Sequence, residues 1–397
     1  RKMQYYTDNI NQVTRENMTG MRVVRANNAE QYEEDKFDKA NEEYTVNALK
    51  ARRAMGLMQP VTKFVNNELN VGIYCIGAFL IAQSNSAEQL EIFSEMVVFS
   101  TYAARIVRAF MGLNMIFNMI PRASVSAERI NEVLDTELSI HDGNIDDKLE
   151  ESGCMEFKDV SFYYPEATTP ALSHISFTAN KGQTIAFIGS TGSGKSTIIN
   201  LMMRFYDPSS GSIVVDGIDI KDYKQNNLRE KMGYASQQAI LFTGTIRSNI
   251  AYAKKDIEEK VRRAVRIAQA DDFVSHKEGD INAKITRGGT NVSGGQKQRL
   301  SVARAVYRES EFYLFDDTFS ALDYKTDRIL RKTLKEETAG ITTFIVAQRI
   351  GTIKDADKIL VLDEGKIVGE GTHQELMENC QIYKEIAYTQ LSKEELA

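Results

Sequence analysis

Gly189-Ser190-Thr191-Gly192-Ser193-Gly194-Lys195-Ser196-Thr197 is the stretch whose reading decides the rest. Before it runs Thr184-Ile185-Ala186-Phe187-Ile188, a short apolar, β-branched segment bounded by Gly182 and Gly189, which predicts a buried strand. After it, Ile198-Ile199-Asn200-Leu201-Met202-Met203 reads as the first turns of a helix. Strand, glycine-rich loop and helix with the spacing G-x-x-x-x-G-K-S make a P-loop. The glycines let backbone N–H groups converge on phosphate oxygens, and the helix N-terminus adds its partial positive charge. In that arrangement Lys195 reaches the β- and γ-phosphates and Ser196 ligates Mg²⁺. A chance glycine-rich turn would lack the flanking strand and helix.

The chain has 397 residues, enough for two or three domains. Hydrophobic residues are 42% and charged residues 26%, so most of it is ordinary globular material. A net charge of −6 leaves no basic footprint for nucleic acid. Cys75, Cys154 and Cys380 lie far apart, which points to neither a disulfide framework nor a zinc site. His141, His174, His276 and His373 are scattered and read as surface or packing residues. The first residues, Arg1-Lys2-Met3-Gln4, have the character of a helix interior. They predict a piece of a longer polypeptide that opens without the pattern of a signal peptide.

Residues 1–54 are polar and rich in helix formers, and on composition alone they read as a solvated helix. Residues 71–82 carry no charge, but twelve residues are too few to cross a bilayer, which needs roughly 20. Extension back to Val61 meets Lys63, Asn66, Asn67, Glu68 and Asn70. A second apolar region, 92–120, is interrupted by Glu95, Arg105 and Arg108. Each such charge at mid-bilayer costs about 2.5–3.5 kcal/mol on insertion scales. Hydropathy therefore allows a membrane hairpin or buried core helices. Charge asymmetry favours the membrane: Ser84-Asn85-Ser86-Ala87-Glu88-Gln89 has no Lys or Arg, whereas Lys50, Arg52, Arg53, Arg122 and Arg129 flank the hairpin. Arg105 and Arg108 then either line a substrate path or sit below the bilayer. Residues 126–152 read as a helix end and a connecting loop.

Further along, Tyr164 beside Pro165 is placed to stack on a nucleobase or, alternatively, to pack in a strand. Gln237 ends a strand and offers its carbonyl oxygen to Mg²⁺ or to an attacking water. Ser293-Gly294-Gly295-Gln296 opens an amphipathic helix and forms a second anion site at a helix N-terminus. Phe312-Tyr313-Leu314-Phe315-Asp316-Asp317 is an apolar strand ending in two carboxylates, and a carboxylate there beside a P-loop holds Mg²⁺, a role that falls to Asp316. Ser320-Ala321-Leu322-Asp323 follows, and a last strand ends in Gln348-Arg349.

P-loop, S-G-G-Q, aspartate-ending strand and Ser-Ala-Leu-Asp, in this order, resemble the nucleotide-binding domain of an ATP-binding-cassette (ABC) transporter over about 153–390. Gly20-Met21-Arg22-Val23-Val24-Arg25-Ala26, with Glu30 and Phe37, is similar to the second cytoplasmic loop of ABC exporters, whose coupling helix docks on a nucleotide-binding domain. The resemblance implies an α/β P-loop NTPase with a helical subdomain, preceded by an all-α transmembrane hairpin and a cytoplasmic helical extension. The layout is 1–54 extension with coupling helix, 55–125 hairpin matching the family's fifth and sixth membrane helices, 126–152 linker and 153–397 nucleotide-binding domain. The first four membrane helices of the family are not in this sequence. ATP and Mg²⁺ are the implied cofactors, with Asp323 joining the nucleotide contacts.

Three positions depart from the family. The glutamate that polarises the attacking water is Asp317, shorter by one carbon–carbon bond, about 1.5 Å. The switch histidine that contacts the γ-phosphate is Gln348, which cannot carry a positive charge. Thr286-Arg287-Gly288-Gly289 lacks the usual glutamate-arginine pair. In the family, ATP is sandwiched between the P-loop of one domain and the S-G-G-Q of another. The resemblance thus implies half of a heterodimeric exporter with a second ABC half-transporter. It would sit in the plasma membrane and drive out drugs or other amphipathic compounds, with a slow site of its own. Rival expectations are a lipid or peptide exporter, a soluble ABC ATPase, or a nucleotide-sensing regulatory subunit.

Overall fold

The computed structural model describes residues 2–85, 88–145 and 153–390. Ser86 and Ala87 of the expected hairpin loop, 146–152 of the expected linker, and 391–397 lie outside the described residues. The chain divides into two compact units, Arg1–Glu137 and Leu138–Ala397.

The first unit is three helices, α1 (Lys2–Ala26), α2 (Glu30–Gln83) and α3 (Gln89–Leu134). Asn28 turns the chain between α1 and α2 with a left-handed backbone, φ 50°, which asparagine tolerates better than most residues. Arg25 and Glu30 pair across that turn at 3.0 Å, and Lys36 reaches back to Glu16 at 2.9 Å. At 1.5 Å per residue, the 54 residues of α2 extend about 80 Å, far more than the ~30 Å of a hydrocarbon core. The sequence divisions at 54/55 and 125/126 therefore both fall inside continuous helices.

The apolar part of α2 is longer than the uncharged run suggested. Gly56–Gln83 and Gln89–Leu113 are each long and apolar enough to cross a membrane, and are 6% and 0% buried. Asn66 and Asn70 lie within the first of these segments. At 100° per residue they share a face with Gly77, which packs against Met96 of α3. Asn70 Oδ1 accepts a hydrogen bond from Ser100 Oγ at 2.7 Å, so this polar group is satisfied within the hairpin. Phe64, Ile76, Phe99, Phe110 and Phe117 remain 64–71% exposed along the helices. Apolar surface on this scale needs lipid or further protein against it.

The second unit is built on strands. β1 (Met155–Phe162), β2 (Leu172–Ala179), β4 (Ser210–Val215) and β5 (Ile218–Asp219) form an antiparallel sheet in the order β2-β1-β4-β5. β3 (Thr184–Gly189), β6 (Met232–Ala235), β9 (Phe312–Asp316), β10 (Thr342–Val346), β11 (Lys358–Asp363) and β12 (Lys366–Gly371) form a second sheet in the order β12-β11-β3-β10-β9-β6. All pairs in it are parallel except β11 with β12. β7 (Gly244–Thr245) and β8 (Lys284–Ile285) make a small separate pair.

The near-continuous apolar runs of β3, β9 and β10 follow from burial on both faces of a parallel sheet. Ile185, Phe187, Phe312, Leu314, Phe344 and Val346 enter one core with β1, β2 and β4. Ala186, Ile188, Tyr313, Phe315 and Ile345 enter the other. α4 (Lys195–Met202) follows β3, and α5 (Gln225–Glu230) leads into β6. A helical subdomain holds α6 (Ile246–Ile250), α7 (Glu258–Ile267), α8 (Asp271–Val274) and α9 (Gly294–Tyr307); α10 (Tyr324–Glu337) lies between β9 and β10. Residues 141–145 are fixed to this unit, with Ile145 N donating to Asp222 O at 3.0 Å and Arg204 Nη2 to His141 O at 2.8 Å.

Candidate nucleotide site

Parallel strands β3, β10, β9 and β6 end on the same edge of the sheet, so their C-terminal loops converge there, where open α/β sheets bind ligands. Val346 is in register with both Phe187 and Asp316. Past the strand ends the backbone stays tied: Ala347 N donates to Phe187 O at 3.1 Å and Asp317 N to Val346 O at 3.0 Å. This brings residues 189–197, Asp316, Asp317 and Gln348 into one cluster.

Gly194 precedes α4 in a left-handed conformation, φ 97°, where a Cβ would lie 2.5 Å from the Leu172 side chain. Only glycine fits both demands. Ser190, Thr191 and Gly192 face solvent, while Ser193 is buried. Lys195 Nζ donates to Gly189 O at 2.9 Å, Ser190 O at 2.6 Å and Ser193 Oγ at 3.3 Å. Burial pushes its pKa down, opposed by the carboxylates of Asp317 and Asp316. Thr197 Oγ1 lies 3.0 Å from the Tyr164 hydroxyl. Tyr164 is half-buried and stands edge-on to Phe162 and Tyr206, so it belongs to an aromatic cluster beside the first turn of α4.

Ser196 Oγ donates to Asp316 Oδ1 at 2.9 Å. A hydroxyl and a carboxylate side by side are hard oxygen donors, and Mg²⁺ is commonly held by one or two such groups together with substrate phosphates. The pair fits that ion. Burial raises the pKa of Asp316, with the Ser196 hydrogen bond opposing, and a bound dication would favour its ionised form. Asp317 is 8% exposed, with a left-handed backbone at φ 46°. Burial raises its pKa too, against the hydrogen bond from Gln237. Gln348 Nε2 donates to Asp317 Oδ2 at 3.0 Å, and Gln237 Nε2 approaches the same oxygen at 3.5 Å. Gln237 thus joins the acid pair through Asp317.

Ser293 caps α9, accepting from Gln296 N at 3.3 Å, while Gln296 Oε1 accepts from Ser293 N at 3.0 Å. This reciprocal capping box leaves the N–H groups of Gly294 and Gly295 at the helix mouth. Asp323 caps α10 through Thr326 N at 3.0 Å. No hydrogen bond among the described residues joins 293–296 to 189–197, so one unit holds two anion-binding devices that do not meet through such bonds. Two residues of the site had gone unnoticed in the sequence. Thr318 Oγ1 donates to Ala235 O at 3.0 Å and ties the loop after β9 to the end of β6; its position straight after two carboxylates was the available signal. Gln298, buried on α9, accepts from Ala321 N at 3.1 Å.

A P-loop on a central parallel sheet, an antiparallel sheet beside it and a helical subdomain opening on S-G-G-Q define a nucleotide-binding domain of the ATP-binding-cassette class. The ABC transporter family model matches residues 172–320, and that of the ABC transporter transmembrane region matches residues 1–110. The chain belongs to the ABC transporter family. An ABC transporter ATP-binding protein of Mycobacterium tuberculosis, itself uncharacterized, is 40% identical over 98% of this chain and 67% of its own length. An ATP-dependent lipid A-core flippase of Saccharophagus degradans is 37% identical over 98% of this chain and 65% of its own. A probable multidrug resistance ABC transporter ATP-binding/permease protein of Bacillus subtilis is 34% identical over 95% and 64%. Among solved structures, a bacterial Atm1-family ABC exporter with ATP bound has a TM-score of 0.86 and 28% identity, covering 98% of this chain and 70% of that one. The chain spans about two thirds of the length of the curated relatives it matches. It is a membrane protein with the exporter fold, and its nucleotide-binding domain is cytoplasmic.

Proposed function

We propose that this chain is one half of a heterodimeric ABC exporter, with a slow or non-hydrolysing ATP site of its own and a signature that completes the site of a second half-transporter. The observation carrying this reading is the Asp317 carboxylate, which is short and is approached at one oxygen by the amides of Gln348 and Gln237. No imidazole accompanies it among the described residues of that cluster. Lys195 contacts the β- and γ-phosphates, Ser196 and Asp316 hold Mg²⁺ with Gln237 at its edge, and Tyr164 stacks on adenine. Residues 189–197 wrap the phosphates. Ser293, Gly294, Gly295, Gln296 and Asp323 face the nucleotide of the other subunit.

ATP binding would draw the two nucleotide domains together, and the turn between α1 and α2 would pass that motion to the membrane helices. The substrate class is amphipathic compounds leaving through the plasma membrane. The flippase and multidrug relatives both support that breadth. A lipid substrate is the second reading, favoured by the flippase relative's 37% identity. The test is ATP hydrolysis by the full-length chain alone and with its co-purified partner. Turnover only in the pair supports the proposal; rapid turnover by the chain alone overturns it.

A further inference from the structure

Gln298 lies on α9, two residues past the signature glutamine, and is only 7% exposed. Its Oε1 accepts the backbone N–H of Ala321 at 3.1 Å, across 23 residues of sequence. On the preceding turn, a Cβ at Gly295 would lie 3.0 Å from Ala321 O, so the two segments touch directly there. From Ala321 the connections continue in both directions. Ser320 Oγ donates to Asp317 O at 2.8 Å, and Asp323 caps α10. Leu300 and Val302, buried on the same helix, show that packing alone is met by apolar side chains. A buried glutamine at 298 adds an acceptor that they lack.

We infer that Gln298 is a positioning residue that locks residues 293–296 and 320–323 into one rigid face, so that both meet the second subunit's nucleotide together. The inference rests on the reading that this signature faces that nucleotide. A loosened face would still bind ATP but would assemble the closed sandwich less often, so the loss belongs in kcat.

The test uses the full-length chain, tagged and isolated from its host so that its second subunit is retained. Gln298→Leu keeps the volume and removes the acceptor; Gln298→Glu keeps an acceptor. Steady-state hydrolysis of Mg·ATP is measured with thermal midpoints and binding of a fluorescent ATP analogue. Gln298→Leu is expected to lower kcat about fivefold to tenfold, the size of one neutral hydrogen bond, with KM and midpoint unchanged. Gln298→Glu keeps the acceptor but buries a carboxylate, and is expected to lose clearly less than Gln298→Leu. Should the leucine variant fail to assemble, Gln298→Met serves as the acceptor-free variant. An unchanged kcat in the acceptor-free variant, or an equal loss in Gln298→Glu, overturns the inference. If the isolated particle holds two copies of this chain, the heterodimer reading fails, while the leucine–glutamate contrast is still read on total turnover.

Discussion

Gln348 Nε2 donates to Asp317 Oδ2 at 3.0 Å, so the second carboxylate at the tip of β9 is engaged by an amide; in the proposed reading this is the general-base position, and the amide stands where the family has an imidazole. In that reading two features slow the site: the carboxylate is about 1.5 Å shorter than a glutamate's, and one of its oxygens already accepts from Gln348. Misplacement near 1 Å costs a catalytic group about 100-fold. Asp317→Glu with Gln348→His together should therefore raise hydrolysis at this site by about that factor. Asp317→Glu alone should gain less, because Gln348 still holds the carboxylate. Single-turnover hydrolysis checks both, and a double variant no faster than wild type would contradict this account.

Lys195 is buried, and its amine is held by two carbonyls and Ser193. Lys195→Ala should weaken ATP binding at this site by about 10- to 100-fold, the range for losing a hydrogen bond to a charged group. The thermal midpoint without nucleotide should not fall, because burial already disfavours the charged amine. Fluorescent-nucleotide titration and calorimetry measure the two effects separately.

Ser293 serves both as helix cap and as candidate phosphate contact, and the two roles can be separated. Ser293→Ala should cost about 1 kcal/mol of stability through the lost cap. Ser293→Asp should keep the cap and the midpoint, yet set a negative charge against the facing phosphate and stop turnover in the assembled pair. Normal turnover in Ser293→Asp would remove this serine from the nucleotide site.

His373 Nδ1 lies 2.7 Å from the hydroxyl of the fully buried Tyr383. Burial holds its pKa below the ordinary imidazole value of about 6.5, with Lys354 adding to the effect. The folded state therefore disfavours the imidazolium. Stability is full above pH 6.5 and declines as pH falls from there toward the lowered folded value. The midpoint should drop between pH 7.5 and 5.5, and His373→Gln should shrink that drop. An equal drop in the variant would place the sensitive group elsewhere.

Much of this was legible in the sequence because short motifs carry their own geometry. The spacing from Gly189 to Ser196 dictates strand, loop and helix, and the apolar run ending in Asp316 and Asp317 dictates a strand with carboxylates at its tip. Contacts between distant segments were not legible. Nothing local says that Gln298 meets Ala321, or that the Gln348 amide turns onto Asp317; the first follows from α9 lying beside the loop after β9, the second from β10 pairing with β9. The hairpin was legible from charge asymmetry, but the full apolar length of α2 was not, for a related reason. Counting from Val71 to Ala82 treats Asn66 and Asn70 as interruptions, whereas on α2 they lie along the α3 seam, where Ser100 satisfies Asn70.

Nucleotide chemistry resolved by site tests the central claim most directly. The transporter, isolated with its second subunit, is loaded with radiolabelled photoreactive ATP, crosslinked during turnover, and each chain's label is identified as tri- or diphosphate. The account predicts intact triphosphate on this chain's Tyr164–Lys195 site while diphosphate accumulates at the other. Diphosphate forming on this chain as fast as on its partner would contradict it.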